Sequence, residues 1–317
     1  MTTLHDFLAA DLEFGPPLAA GPLLLFPVFT AAAPAPPYVC GPEADAENLL
    51  HVHEKEGGAN VPELVVTHGA GMPLLLLEGE TMLGAKQNRT LNVSVLCPPE
   101  VPATLPVSCV EAGRWGAAQP TTRSPNIAPS GLRAAKTRSV SDSVRARGAR
   151  FSDQGEVWQH VDAYATLHAT QSPTAALEDV AGTIGPEVDA LVAQLRPVDG
   201  QRGVVVAAGD RIVSLDLFDK ASTLAAYWDG LVAGYAMEAI GNPPPAFSLA
   251  DAETFATRVL ATAVTEAPGV ALGTEFHLDD ADGDLTGTGL AWEGTVVHLA
   301  AFESSTPRRS RPMRRRR

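Results

Sequence analysis

Lysine is scarce in this 317-residue chain, with four in all, and so are aromatic residues, at 6%, and cysteine, at three. Three cysteines, Cys40, Cys97 and Cys109, are too few and too odd in number for a disulfide framework, which excludes a small stapled scaffold and predicts a reducing compartment. The apolar stretch over residues 18–29 falls short of the roughly 20 residues that cross a bilayer and is broken by Pro22 and Pro27. No Lys or Arg precedes Lys55, so the charged start of a signal peptide is lacking. Together these absences predict a cytoplasmic protein without a membrane span. No phosphate loop, dinucleotide fingerprint or Gly-x-Ser-x-Gly elbow occurs, and there is no repeat of 20–50 residues.

Metal signatures are also thin. His51-x-His53-Glu54 has no third spaced ligand, and His160, His168, His277 and His298 share no local spacing, so they read as surface or satisfied core histidines. Asp280-x-Asp282-Gly283-Asp284 imitates the start of a calcium loop, but Leu285 stands where that loop needs Gly and Ala291 where it needs Glu. It reads as an acidic hairpin turn. Neither a metal nor a cofactor is predicted.

What is present is a large apolar fraction, 45%, with 28 Gly, 26 Pro and a formal net charge of −14. This excludes collagen, coiled coil and wholesale disorder, and the length allows one large domain or two. The charge is uneven. Seven arginines fall in the last ten positions, leaving residues 1–307 with 16 bases against 37 acids, a net of −21. Eight more bases lie between Arg114 and Arg150, where Asp142 is the only acid. An acidic body of this kind repels nucleic acid except at a basic segment and a basic tail.

Along the chain, residues 88–96 alternate, with Leu91, Val93 and Val95 on one face and Asn88, Thr90, Asn92 and Ser94 on the other, the period of a strand. Residues 105–111 alternate again and place Cys109 and Glu111 on one face. The first 115 residues are predicted to be mainly antiparallel β. Residues 116–150, without apolar periodicity, read as a long, mobile, basic loop. Helices are predicted from Asp153, where Asp153-x-x-Glu156 resembles a capping box, from Ser172-Pro173, and as a short third one over residues 188–195. A hairpin follows over residues 203–218, then a helix with a stripe of Leu224, Trp228, Leu231 and Tyr235, another helix around residues 252–265, and terminal strands over 270–278, 286–292 and 295–302. The fold class is α+β, with an antiparallel N-terminal half and helices packed on strands in the C-terminal half. The expected division is an N-terminal extension over residues 1–19, one domain over 20–303 and a disordered Arg-rich tail over 304–317.

Three clusters carry candidate chemistry. Glu78-Gly-Glu80 and Lys86-Gln87-Asn88-Arg89, with Gly84 between them, supply acids, bases and amides for an anionic or sugar-like ligand, or form a solvated loop with salt bridges. Gly84 points to a bend or a close backbone approach. Cys109, Glu111, Arg114 and Trp115 form the second cluster; Cys109 is a nucleophile if Lys86 or Arg114 lowers its pKa, and otherwise a small buried hydrophobe. Asp216, in an apolar strand, needs a partner, either a ligand or a structural one such as Lys220. Asp153 and Glu156 have a ready role as helix caps.

Residues 74–80 (LLLLEGE), Leu83-Gly-Ala-Lys-Gln-Asn-Arg89, Pro106-Val-Ser-Cys-Val-Glu111-x-Gly-Arg-Trp115, Ser152-Asp-Gln-Gly-Glu-Val-Trp158 and Leu215-Asp-Leu-Phe-Asp219 resemble a bacterial and archaeal domain named for its association with ADP-ribosylglycohydrolases and rhodanese-phosphatases. Gly287-x-Gly289 and His298-Leu-x-Ala-Phe302 look like its C-terminal end, so the resemblance spans about residues 20–303. It implies ADP-ribose or other NAD-derived nucleotide metabolism and leaves turnover open. It also implies a site built from Glu78, Glu80, Lys86, Gln87, Asn88, Arg89, Cys109, Glu111, Arg114, Trp115, Asp153, Gln154, Glu156 and Asp216, with Glu111, Cys109 and Lys86 as the catalytic candidates. The expected partner is a nucleotide-like small molecule. The alternative is a non-catalytic module whose basic loop and tail dock an acidic partner or nucleic acid.

Overall fold

The alternating run at residues 88–96 is divided between two sheets of the computed structural model, which describes residues 3–8, 10–55, 62–115, 119–280 and 283–303. Leu91 belongs to one strand and Val95 to another, and the turn at residues 92–94 between them keeps all three apolar side chains in one core.

The elements run α1 (Leu4–Phe7), β1 (Leu12–Phe14), β2 (Leu18–Ala20), β3 (Leu23–Thr30), β4 (Val39–Cys40), α2 (Gly41–Ala46), β5 (Leu50–His53) and β6 (Glu63–His68). Next come β7 (Leu74–Leu76), β8 (Glu80–Ala85), β9 (Arg89–Leu91), β10 (Val95–Cys97), β11 (Ala103–Cys109), β12 (Gln119–Ile127), α3 (Ser130–Arg147), α4 (Gln154–Leu167) and α5 (Leu177–Gln194). The chain continues through β13 (Gly203–Ala208), β14 (Arg211–Phe218), α6 (Ala221–Ala239), α7 (Leu249–Ala261), β15 (Val264–Pro268), β16 (Thr274–Asp279), β17 (Leu285–Trp292) and β18 (Thr295–Glu303).

Six strands in the order β12-β8-β9-β11-β6-β5 form an antiparallel sheet whose end strands β12 and β5 come into contact, curling it into a small, incompletely closed barrel. Its inward residues, among them Leu64, Val66, Met82, Leu91, Leu105 and Val107, share a core with Val140 and Val144 of α3. The second large sheet is antiparallel throughout, in the order β1-β3-β13-β14-β18-β17-β16-β15, with β2 also on β3. One of its faces packs on α1 and α7 through Leu4, Leu8, Ala252, Phe255 and Val259. The other is apolar beneath α5 and α6. A short third sheet, β10-β7-β4, contains the parallel pair β4–β7. The α+β class therefore stands.

The largest departure from expectation is residues 116–150. Residues 116–118 lie outside the described residues, and from Gln119 to Arg147 the segment is not a loop but β12 and the 18-residue α3, half of whose face is buried although it carries Arg133, Lys136, Thr137 and Ser141. Apolar periodicity fails to reveal this helix because its inner face is polar, matched by polar groups on the sheet below. Two helices predicted over residues 173–195 are one, α5, with a continuous stripe of Leu177, Val180, Ile184, Val188 and Leu191 running past Pro186. Ser172 does not cap it but accepts the Ala176 N–H ahead of it. β15 was not anticipated, and the helix before it ends at Ala261. The expected acidic turn joins β16 to β17, where Asp280 Oδ1 accepts the Asp284 N–H; residues 281–282 lie outside the described residues, as does the Arg-rich tail. No helix among the described residues is long and apolar enough to cross a membrane.

Candidate functional site

The residues singled out by sequence fall into two groups at opposite ends of β8, five residues and about 17 Å apart at strand rise. The first is a buried polar seam where α3 crosses β14 and β18. Glu78 sits in the tight turn before β8, at whose centre Gly79 has φ +86°; a Cβ there would press on Ile127 and Arg133. Arg133 donates from Nε to Glu78 Oε1 at 2.7 Å and grips Asp216 with both terminal nitrogens, at 3.2 and 2.6 Å. Tyr235 donates to the same carboxylate at 2.6 Å, and His298 Nε2 faces it at 3.6 Å. Lys136 Nζ bonds the Leu91 carbonyl and lies 3.6 Å from Glu78 Oε2. Glu80 pairs with Arg123.

Every one of these charged groups is essentially excluded from solvent, so the pairing decides their protonation. Burial alone would push the Asp216 carboxyl up, but the Arg133 charge overrides it and holds the group well below the usual carboxylate range. Burial pushes Lys136 down to about 8, against the pull of Glu78. Asp216 thus has structural partners, though not Lys220, which pairs with Asp219 instead. Ser94 Oγ accepts the Glu78 N–H at 3.0 Å and lies 2.8 Å from His298 Nδ1. The order Ser94, His298, Asp216 mimics a hydrolase triad, yet Ser94 is 3% exposed and Asp216 is already saturated by Arg133 and Tyr235. These residues fasten barrel, helix and sheet together.

The second group is at one mouth of the barrel. The strand registers bring the ends of β5, β8 and β11 and the starts of β6, β9 and β12 to the same end: Met82 pairs with Arg89, Arg89 with Cys109, Pro106 with Glu63, Val65 with His53 and Gln119 with Ala85. Cys109 and Arg89 share the inward parity of Val107 and Leu91, which places both in the barrel interior beneath the mouth. Gly84, at φ +95°, turns β8 so tightly against β12 that a Cβ would stand 2.1 Å from the Pro120 carbonyl, the close approach its sequence position suggested.

Arg114 organises the rim. It forks onto Glu111 at 2.8 and 2.7 Å and also donates to the Gly84 and Ala85 carbonyls and to Asn88 Oδ1. Asn88 N–H donates to Glu111 at 3.0 Å. Burial works against the Glu111 charge, but the Arg114 and Asn88 bonds together hold its carboxyl below the ordinary value. Burial pushes the Cys109 thiol up, with Arg89 easing and Glu54 adding to the shift, so the thiolate is scarce at neutral pH. Gln87 Nε2 reaches the Ala112 carbonyl, and Lys86 Nζ lies 5.8 Å from the ring centre of Trp115, which is 56% exposed. Gln154 binds both backbone groups of Cys109 at 2.8 Å with its side-chain amide, taking the place of a neighbouring strand. Asp153 caps α4 through the Glu156 N–H, and Glu156 is half-buried, its carboxyl raised by burial and by Asp153.

The seam residues Glu78, Glu80 and Asp216 are therefore not brought together with Lys86, Gln87, Asn88, Arg89, Cys109, Glu111, Arg114 and Trp115. Sequence reading missed Arg133 and Lys136, hidden in a segment without apolar period, and Glu54, noted only beside two histidines. The basic segment is also less free than its composition suggests, since Arg123, Arg133, Lys136, Arg145 and Arg150 pair with Glu80, Asp216, Glu78, Asp142 and Glu275. A separate cleft of ≈ 550 Å³, walled by Pro62, Glu63, Val101, Arg150, Phe151 and Leu272, contains none of the expected residues.

Compared with known families, residues 11–302 match the ARPP-1 domain, described as the ARG and Rhodanese-Phosphatase-superfamily-associated Protein domain. No curated protein and no solved structure matches the chain.

Proposed function

The chain belongs to the ARPP-1 domain family, and from that membership and the barrel mouth we propose that it binds an ADP-ribose-like or other phosphorylated nucleotide between Lys86, Trp115 and the barrel interior. The family is named for its association with ADP-ribosylglycohydrolases and the rhodanese-phosphatase superfamily, which points to an ADP-ribose-related role. The observation that carries the reading is the convergence of six strand ends on a rim with an exposed tryptophan, a lysine beside it and a mixed-charge interior. Barrel mouths are common small-molecule sites. Lys86, Arg89 and Arg114 against Glu54 and Glu111 leave this end one positive charge in excess, in a chain of net charge −14, which favours phosphate.

Trp115 is the ring on which a base stacks, and Lys86 is the cation beside it. Arg114 is committed to Glu111 and to the 84–88 turn, so it shapes the rim instead of gripping phosphate. A raised Cys109 thiol and a Glu111 carboxylate tied to Arg114 favour binding over nucleophilic or general-base turnover. Three buried, free cysteines fit a cytoplasmic setting.

Isothermal titration with ADP-ribose, NAD and ADP tests the reading. Trp115→Ala is expected to weaken binding by about 5- to 100-fold, the worth of one base stack. Lys86→Ala is expected to weaken it too, with steeper loss at low salt, and both variants should keep the wild-type melting temperature. No heat with any of the three ligands, or equal affinity in both variants, contradicts it.

A further inference from the structure

Among the described residues near the mouth, one buried carboxylate oxygen is left over. Glu111 is forked by Arg114 and bonded by the Asn88 N–H, while Glu78 and Glu80 lie at the far end of β8 in ion pairs of their own. Glu54, just past β5, accepts the Lys86 N–H through Oε1 at 3.1 Å, and the same oxygen lies 3.8 Å from Arg89 Nη2. Its other oxygen, Oε2, is buried and accepts no hydrogen bond.

A buried carboxylate oxygen without a donor destabilises the fold unless something supplies a proton to share. Its surroundings narrow what that donor is. Arg89 and Cys109 are paired in register on the inward face, and Glu54 comes within 3.8 Å of Arg89, so the three side chains meet beneath the mouth. Lys86, whose backbone is fixed by Glu54, carries its ammonium toward Trp115. A ligand with its base on Trp115 and a phosphate at Lys86 has its sugar beside Lys86, the residue whose backbone Glu54 holds. A sugar hydroxyl is a neutral donor that suits a carboxylate already next to an arginine.

We propose that Glu54 Oε2 accepts a ribose hydroxyl of the bound nucleotide, making this site selective for ligands that retain the sugar's vicinal hydroxyls. The inference rests on the nucleotide reading of the mouth, and it turns a general anion site into one that distinguishes ribose from a hydroxyl-free sugar. Gln154 and Asn88 are already bonded to backbone groups and supply no equivalent acceptor.

The test compares ADP with 2′,3′-dideoxy-ADP by isothermal titration on the full chain, so that the hydroxyls are removed without touching the protein. Wild type is expected to bind the dideoxy ligand about tenfold more weakly, the worth of a hydrogen bond to a charged group. In Glu54→Gln, which keeps an acceptor for the Lys86 N–H, the ratio is expected to fall to about threefold or less. Equal wild-type affinity for the two ligands overturns the role of Glu54 and leaves the nucleotide reading standing. A ratio in Glu54→Gln as large as in wild type overturns it too. No binding of ADP or ADP-ribose to wild type overturns both.

Discussion

Replacing Arg133 with methionine removes the cation that holds the seam together while roughly keeping its volume. Arg133 is 1% exposed and donates three hydrogen bonds to two carboxylates that are themselves 0% exposed. Desolvated pairs of this kind add little net stability when compared with an apolar replacement of both partners, but breaking one by removing a single partner costs about 3–5 kcal/mol. For 317 residues, an unfolding entropy of roughly 2.1 cal/mol/K per residue converts about 4 kcal/mol into a melting-temperature drop of about 6 °C. Urea denaturation followed by circular dichroism reads the difference directly.

Its pH dependence is diagnostic. In wild type the depressed Asp216 pKa contributes stability that is fully present above the unfolded value near 4 and is lost only as pH falls through the lower folded value. In Arg133→Met, burial acts without that opposing charge, the folded pKa rises above the unfolded one, and stability is lost as pH rises. The deficit at pH 7.5 should therefore shrink at pH 5. Adding Glu78→Gln and Asp216→Asn should recover part of it at pH 7.5. A deficit below about 1 kcal/mol, or one that does not change with pH, would refute the claim that these charges depend on Arg133.

Two further outcomes follow from the same geometry. Lys136, lowered to about 8 by burial, binds its proton less tightly folded than unfolded, so wild-type stability should rise with pH between about 8 and 10.5; Lys136→Met should flatten that slope, measured by urea titration at three pH values. Gly84→Ala combines a positive φ with a Cβ 2.1 Å from the Pro120 carbonyl, and should cost upward of about 2 kcal/mol while separating β8 from β12, visible as faster amide exchange along residues 119–123.

Local rules were sufficient for several elements that bury apolar side chains, though not for α5, whose single apolar stripe runs past Pro186. The 203–218 hairpin, the Leu224–Trp228–Leu231–Tyr235 stripe and the Asp153 cap were all legible because period, turn chemistry and capping each act within a few residues. α3 was not legible, because its buried face is made of Arg133, Lys136, Thr137 and Ser141, and polar burial leaves no hydrophobic period. Its partners Glu78 and Asp216 were conspicuous as acids among apolar residues, but the distance between them in sequence hid the arginine that joins them. At the mouth, Lys86, Gln87, Asn88, Glu111, Arg114 and Trp115 were found because they are clustered in two short motifs. Glu54 was overlooked because it lies just past β5, more than 30 residues before Lys86, and only the antiparallel registers bring it to the same end.

The central claim is that the barrel mouth is the binding site, and a crystal structure with ADP-ribose at saturating concentration tests it most directly. The expected result is the base against Trp115, a phosphate at Lys86 and a ribose hydroxyl within hydrogen-bond distance of Glu54 Oε2. Ligand in the cleft beside Phe151, or a mouth that stays empty while ADP-ribose occupies another site, would contradict it.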